Sequence, residues 1–231
     1  LFRSEISDKP LSDPRLIRRN PLAGYWECRK KIDGAKVAIK PSERQIKINH
    51  IMLSKTDEVL QSYDKLMVNV VTSIGTTAIM PAQLSMMRIF SKGSLNQGGR
   101  LYSAVQNYKA ETRKYLYFDK EPTLEIDYSS FHPHLLYHQD GLQFSGDDPY
   151  VIKGFDRSHV KVAFNIMLNR KGSKGNKSAA NTISDELGID VEVSEALEIA
   201  ILALHSPIAQ HFNSGIGLKL QRLDSDIAMS V

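Results

Sequence analysis

The run Glu125-Ile126-Asp127-Tyr128-Ser129-Ser130-Phe131-His132-Pro133 sets the tightest limit on what this chain can fold into. An apolar stretch ends in Asp127. Pro133 then suits the first turn of a helix, where its missing N–H is not needed. An acidic side chain at such a strand end is well placed to hold a divalent metal. Further on, Arg157 and Lys161 stand at i and i+4, so a helix there projects two cations from one face. Together they suit a metal-bound polyanion such as a nucleoside triphosphate. Each half has an ordinary use as well. Asp-Tyr-Ser serves as a turn or helix cap, and Arg-x3-Lys as a solvated helix face.

Order and spacing connect the two halves to further segments. Gly99-Arg100 precede a hairpin-like stretch made of Tyr115-Leu-Tyr-Phe118, Asp119-Lys-Glu-Pro122 and Thr123-Leu-Glu-Ile-Asp127. Downstream stands Gln221-Arg-Leu-Asp-Ser-Asp226. In this order the motifs resemble the palm and fingers of the family A DNA polymerases, and more distantly those of the single-subunit phage-type RNA polymerases. The resemblance covers residues 88–231 and leaves the first third of the chain outside it. It implies a mixed α/β (α+β) fold with a right-hand polymerase-like palm hairpin, a helical fingers insertion and a mainly helical N-terminal region. The domains it implies are a basic, thumb-like or accessory region over 1–90, a palm-like segment over 91–147, a fingers-like segment over 148–218 and a returning helix over 219–231.

The activity the resemblance implies is template-directed nucleotidyl transfer on nucleoside triphosphates by a two-metal mechanism. Asp127 would bind two magnesium ions, or manganese in their place, with the Tyr128 carbonyl as a further ligand. Arg157 and Lys161 would neutralise the departing pyrophosphate, and Lys161 would also protonate it. Tyr128, His132, Asn165, Asn169 and Gln221 fall at substrate-binding positions. Arg100, Gln106 and Arg113 would extend a nucleic-acid contact surface for a primer–template or single strand.

The chain also departs from the family pattern. Where the family carries a Glu that crowds the sugar 2′ position, this chain has His132. Its base-stacking Tyr and the preceding Phe are Asn169 and Asn165. The family's second metal carboxylate lies in a His-Asp motif whose expected position falls past Val231, so activity is expected only if such a carboxylate follows. Two other readings therefore stay open. One is an RNA-making or priming enzyme of the same superfamily, the other a catalytically silent nucleic-acid-binding module.

Charge is distributed unevenly. Residues 1–120 carry 21 Lys and Arg against 11 Asp and Glu, whereas residues 121–231 carry 9 against 15. A basic half beside an acidic half fits a segment that grips nucleic acid joined to one that binds metal, and equally a lysine-rich solvated surface. At 231 residues and 42% hydrophobic, the chain is long enough for one or two domains with a core. The single Cys28 excludes an internal disulfide and a Cys-rich zinc site. With no apolar run of membrane-spanning length and no signal-peptide core at Leu1-Phe-Arg-Ser-Glu-Ile-Ser-Asp8, a cytoplasmic protein without a membrane partner is expected.

The remaining segments read locally. Residues 1–22 suggest an extended arm. Lys36–Lys40 and Gln45–Asn49 alternate around Pro41–Arg44 and predict a two-stranded ribbon. Val59, Leu60, Tyr63, Leu66, Met67, Val70, Leu84, Met87 and Phe90 predict helices with buried faces. Gln97–Tyr102 reads as a flexible turn or a glycine bulge before a strand. Phe131–Tyr137 predicts a helix, and Gly146-Asp-Asp-Pro-Tyr150 a loop rather than a metal site. Lys171–Lys177 reads as a basic loop, and Ser194–Phe212 as one helix kinked at Pro207.

Overall fold

The structure, a computed structural model, describes residues 24–172 and 178–230. The arm expected over 1–22 and positions 173–177 of the basic loop lie outside the described residues. The chain is mixed α/β and divides into two compact units, one made of 1–127 with 222–231, the other of 128–221. The expected boundary at 90–91 instead cuts through a paired strand, and that at 147–148 falls inside the second unit.

In the first unit, β1 (Trp26–Ile32) and β2 (Ala35–Ile39) form a hairpin. Its two-residue turn is Asp33-Gly34, both at positive φ, the geometry whose twist matches that of the strands it joins. This corrects the expected ribbon. The partner of β2 precedes it, and Gln45–Asn49 instead lies in α1 (Glu43–Met67). Ser42 is the reason, because its side chain accepts from the Gln45 N–H and caps the helix.

After α1 come β3 (Thr72–Ile74), β4 (Thr77–Ile79), α2 (Pro81–Leu84), β5 (Met87–Ser91) and β6 (Ser94–Tyr102). They are followed by α3 (Ala110–Arg113), β7 (Leu116–Phe118) and β8 (Glu121–Pro122). One sheet has the order β2-β1-β5-β6, with β1 and β5 parallel, and the other the order β4-β3-β7-β8. Met87 and Phe90 thus belong to a strand, not to the expected helical run. Phe90 is fully buried with Cys28, Leu53 and Leu95. A second core gathers Met67, Ile74, Ile79 and Leu84. Within α1, Leu60 and Met67 are buried as expected while Leu66 faces solvent.

Gly98 and Gly99 lie inside β6 at φ 74° and 79°, where the register against β5 shifts. They form a bulge rather than a flexible turn. A side chain on Gly99 would meet the Phe90 ring at 2.9 Å, so the bulge requires glycine for space as well as for φ.

The second unit is helical. It holds α4 (Phe131–Gln139), α5 (Arg157–Asn169), α6 (Ala179–Leu187) and α7 (Val191–Leu204), and α8 (Gly217–Ala228) begins in it and continues into the first unit. The helix expected over Ser194–Phe212 ends at Leu204. A separate 3-10 turn spans Ser206–His211, because Pro207 lacks the N–H that would continue the α-helical ladder.

Candidate functional site

α5 starts at Asp156, whose carboxylate accepts from the N–H groups of Ser158 and His159. Its apolar stripe of Val160, Ala163, Phe164, Met167 and Leu168 is buried. The 3.6-residue period then leaves Arg157, Lys161, Asn165 and Asn169 along the opposite side, with both cations solvent-exposed. Arg157 Nε donates to Asp148 Oδ2 at 2.7 Å, and its guanidinium lies 5.6 Å from the centre of the Tyr150 ring. Burial pushes the Asp148 carboxyl up, but bonds from Arg157 and from the Tyr150 N–H outweigh it and hold the group below the usual range. As expected, Gly146–Tyr150 is a loop, and Asp148 is its turn-forming residue. Lys161 projects from α5 one turn beyond Arg157. Asn169 Nδ2 donates to the Asn165 carbonyl at 2.9 Å, and its Oδ1 closes on Gly217, where no side chain would fit.

The segment carrying Asp127 differs from expectation. β8 stops at Pro122, and residues 123–128 are irregular, with Leu124 83% and Ile126 82% exposed. The reason lies in β7. The Lys114 N–H, which the antiparallel register would turn toward Glu125, is engaged by the Ala110 carbonyl at the end of α3, so β7 begins only at Leu116. Beyond the bond from the Thr123 N–H to the Leu116 carbonyl, no strand remains for the chain to pair with. Asp127 is therefore an exposed carboxylate at the end of the first unit, and Tyr128 begins the second, stacked on Phe131 at 4.9 Å.

Two divalent cations at Asp127 would require several oxygen ligands. Glu125 is engaged elsewhere, by Arg113 Nη2 at 2.6 Å and Nε at 3.2 Å, a contact that holds its carboxyl below the usual range. Among the described residues no group of three or more His, Cys, Asp or Glu side chains could hold a metal ion. The described residues thus do not complete the metal site that the resemblance implies.

The other expected residues fall in both units. His132 is half-buried in α4, and Gln221 is half-buried in α8. Gln106 Oε1 accepts from the Ser103 N–H and so caps its own turn. Arg113 also donates to the Tyr108 carbonyl, and Arg100 approaches Asp224 at 3.5 Å. Asp127 and the α5 cations belong to different units.

Among the described residues, sequence reasoning missed two buried basic side chains. His205 is fully buried, its Nε2 lying 2.9 Å from the Pro149 carbonyl and its Nδ1 3.1 Å from the Tyr137 hydroxyl. The carbonyl can only accept, so Nε2 carries the proton and Nδ1 accepts from the tyrosine. Arg88, 1% exposed in β5, is the other. Its one visible signal was a cation inside the apolar run Met87-Arg-Ile-Phe90.

Compared with protein-family models, curated proteins and solved structures, the chain matches none. Among the described residues, no helix is long and apolar enough to cross a membrane.

Proposed function

We propose that this protein binds nucleoside triphosphates and transfers nucleotidyl groups to a nucleic-acid 3′ end, in the manner of a family A-like DNA polymerase. The observation that carries the reading is the α5 face. Arg157 and Lys161 stand one turn apart in solvent on a helix fixed by its buried stripe. In this reading a 3′ hydroxyl attacks the α-phosphorus and loses its proton to water, and the bond from that phosphorus to the oxygen shared with the β-phosphate breaks, releasing pyrophosphate. Arg157 and Lys161 take up the charge developing on pyrophosphate, and the Lys161 ammonium supplies it with a proton. Asp148 holds the Arg157 fork in place for that contact. The collinear order of Arg100, Asp127, α5 and Gln221 supports the reading further.

The lone Asp127 carboxylate favours a second reading, a nucleic-acid-binding protein without catalysis. Primer extension separates the two. Radiolabelled DNA and RNA primers are incubated with each set of triphosphates, using wild type, Asp127→Ala and Lys161→Ala. The expected outcome is incorporation by wild type, loss in Asp127→Ala, and a rate lower by on the order of 10²-fold in Lys161→Ala with unchanged duplex affinity. Binding without incorporation in any combination would leave the non-catalytic reading in its place.

A further inference from the structure

The Arg88 site is a cluster of charges that the α5 reading does not use. Within the first unit, Arg88 Nε donates to the Gly99 carbonyl at 2.8 Å and to Ser225 Oγ at 3.2 Å. Its Nη1 donates to Thr56 Oγ1 at 3.2 Å and its Nη2 to Asp226 Oδ1 at 2.6 Å. The other oxygen of that carboxylate is ion-paired with Arg222, one helical turn earlier on α8. Arg222 Nε donates to the Leu95 carbonyl at 3.0 Å, and its Nη1 is the nitrogen ion-paired with Asp226 Oδ2. Both guanidiniums lie over the Phe90 ring, at 5.3 and 5.7 Å.

Two arginines therefore share one carboxylate. They open onto a cavity of about 210 Å³ whose wall adds Lys55 from α1 and the apolar side chains of Met52 and Met229. Among the described residues three cations face one anion, an excess of two positive charges beside apolar walls. The environment resists that excess. Burial pushes both arginines down to about 10, and the Arg88 charge presses Arg222 further in the same direction. An unbalanced charge held out of water lowers stability unless something compensates it. Hydrogen bonds to Gly99, Thr56 and Leu95 satisfy donors without supplying negative charge. Each Arg88 Nη carries two N–H groups, and Thr56 and Asp226 take one apiece.

We propose that this cavity is a phosphate-monoester site, seating a dianionic phosphate between Arg88, Arg222 and Lys55. A monoester carries about −1.5 to −2 charge near neutral pH and so offsets the excess. A carboxylate or an internal phosphodiester supplies only one negative charge. The same chemistry is offered by free phosphate and by the 5′-terminal phosphate of a strand. The site is independent of the α5 reading, since a protein that incorporates no nucleotide would still show it.

The test has two arms. In the first, thermal unfolding is followed against inorganic phosphate, with chloride at matched ionic strength as the control, for wild type, Lys55→Gln and Asp226→Asn. Binding to the folded state raises the midpoint saturably. Lys55 is exposed on α1, so Lys55→Gln should fold normally and bind phosphate about tenfold more weakly. Asp226→Asn removes the one carboxylate among the described lining residues, and should melt earlier in chloride yet bind phosphate more tightly than wild type. In the second arm, one labelled oligodeoxynucleotide is compared with and without a 5′ phosphate by fluorescence anisotropy. Tighter binding of the phosphorylated strand, lost in Lys55→Gln, identifies the strand end as the source. Equal binding of the two strands alongside the phosphate-specific midpoint rise identifies free phosphate. Equal midpoints in phosphate and chloride with no preference between the strands would overturn the proposal. Weakening by Asp226→Asn to the same extent as by Lys55→Gln would do so too, because a purely structural cluster predicts no rise in affinity.

Discussion

His205 illustrates how a single buried side chain fixes a pH response. Burial holds its imidazole below the ordinary value of 6.5, and the bond to the Pro149 carbonyl works against that only in part. The folded state therefore stays neutral at a pH where the unfolded chain already binds a proton. The contribution is full above about 6.5 and is lost as pH falls through that value toward the lower folded one. Unfolding midpoints in urea should accordingly drop as pH falls from about 7.5 to about 5.5, with a slope from this group of up to about 1.4 kcal/mol per pH unit. Gln at this position still donates to Pro149 and accepts from Tyr137 but does not titrate, so His205→Gln should flatten that slope. An equally steep slope in the variant would place the response in other groups. Asp127 and Lys161 are different at this scale. Both are exposed, so Asp127→Ala and Lys161→Ala should leave the midpoint within about 0.5 kcal/mol of wild type.

At the scale of elements, the β5–β6 pair depends on its bulge. Gly99→Ala puts a methyl group 2.9 Å from the Phe90 ring on a backbone at φ 79°. It should destabilise the protein by about 2–4 kcal/mol, the sum of an off-region backbone and local overpacking. A shift of less than about 1 kcal/mol in urea unfolding would mean that β6 re-registers at little cost. The same elements separate what the sequence discloses from what it hides. α4 and α5 were legible because their signals are local. Pro133 lies in a first turn, and a buried stripe at helical spacing opposes Arg157 and Lys161. The β1–β2 hairpin had an equally local signal in Asp33-Gly34, but the alternation around Pro41 suggested a later pairing that the Ser42 cap excludes. The strand expected to carry Asp127 failed for a reason outside its own segment, namely that Lys114, the next residue of its partner to face it, has its N–H engaged at the end of α3. The Arg88–Asp226 contact joins residues 138 positions apart, and neither a period nor a motif in the sequence links them.

For the whole molecule, the discontinuity of the first unit has an energetic basis. Its sheet core lies before Asp127, yet Arg222, Ser225 and Asp226, which surround the Arg88 guanidinium, arrive only after the 94-residue second unit, 128–221, has been traversed. Ending the chain after Gln221 would remove Asp226, the carboxylate paired with Arg88 among the described residues, and leave a buried cation with the neutral oxygens of Gly99 and Thr56. Breaking such a pair costs about 3–5 kcal/mol, a large part of the stability of a typical domain. The second unit would lose none of the buried stripe of α5 or its partners Ile183, Leu197 and Ile201. Amide hydrogen exchange on this truncated chain should therefore show protection lost in β5 and β6 and kept in α5, α6 and α7. Asp226→Leu should reproduce part of that pattern in the intact chain, because it strands the same guanidinium while keeping α8 in place. If β5 and β6 stay protected in both proteins, Arg88 is stabilised by its neutral acceptors and by the Phe90 ring, and the last turns of α8 are dispensable to the first unit.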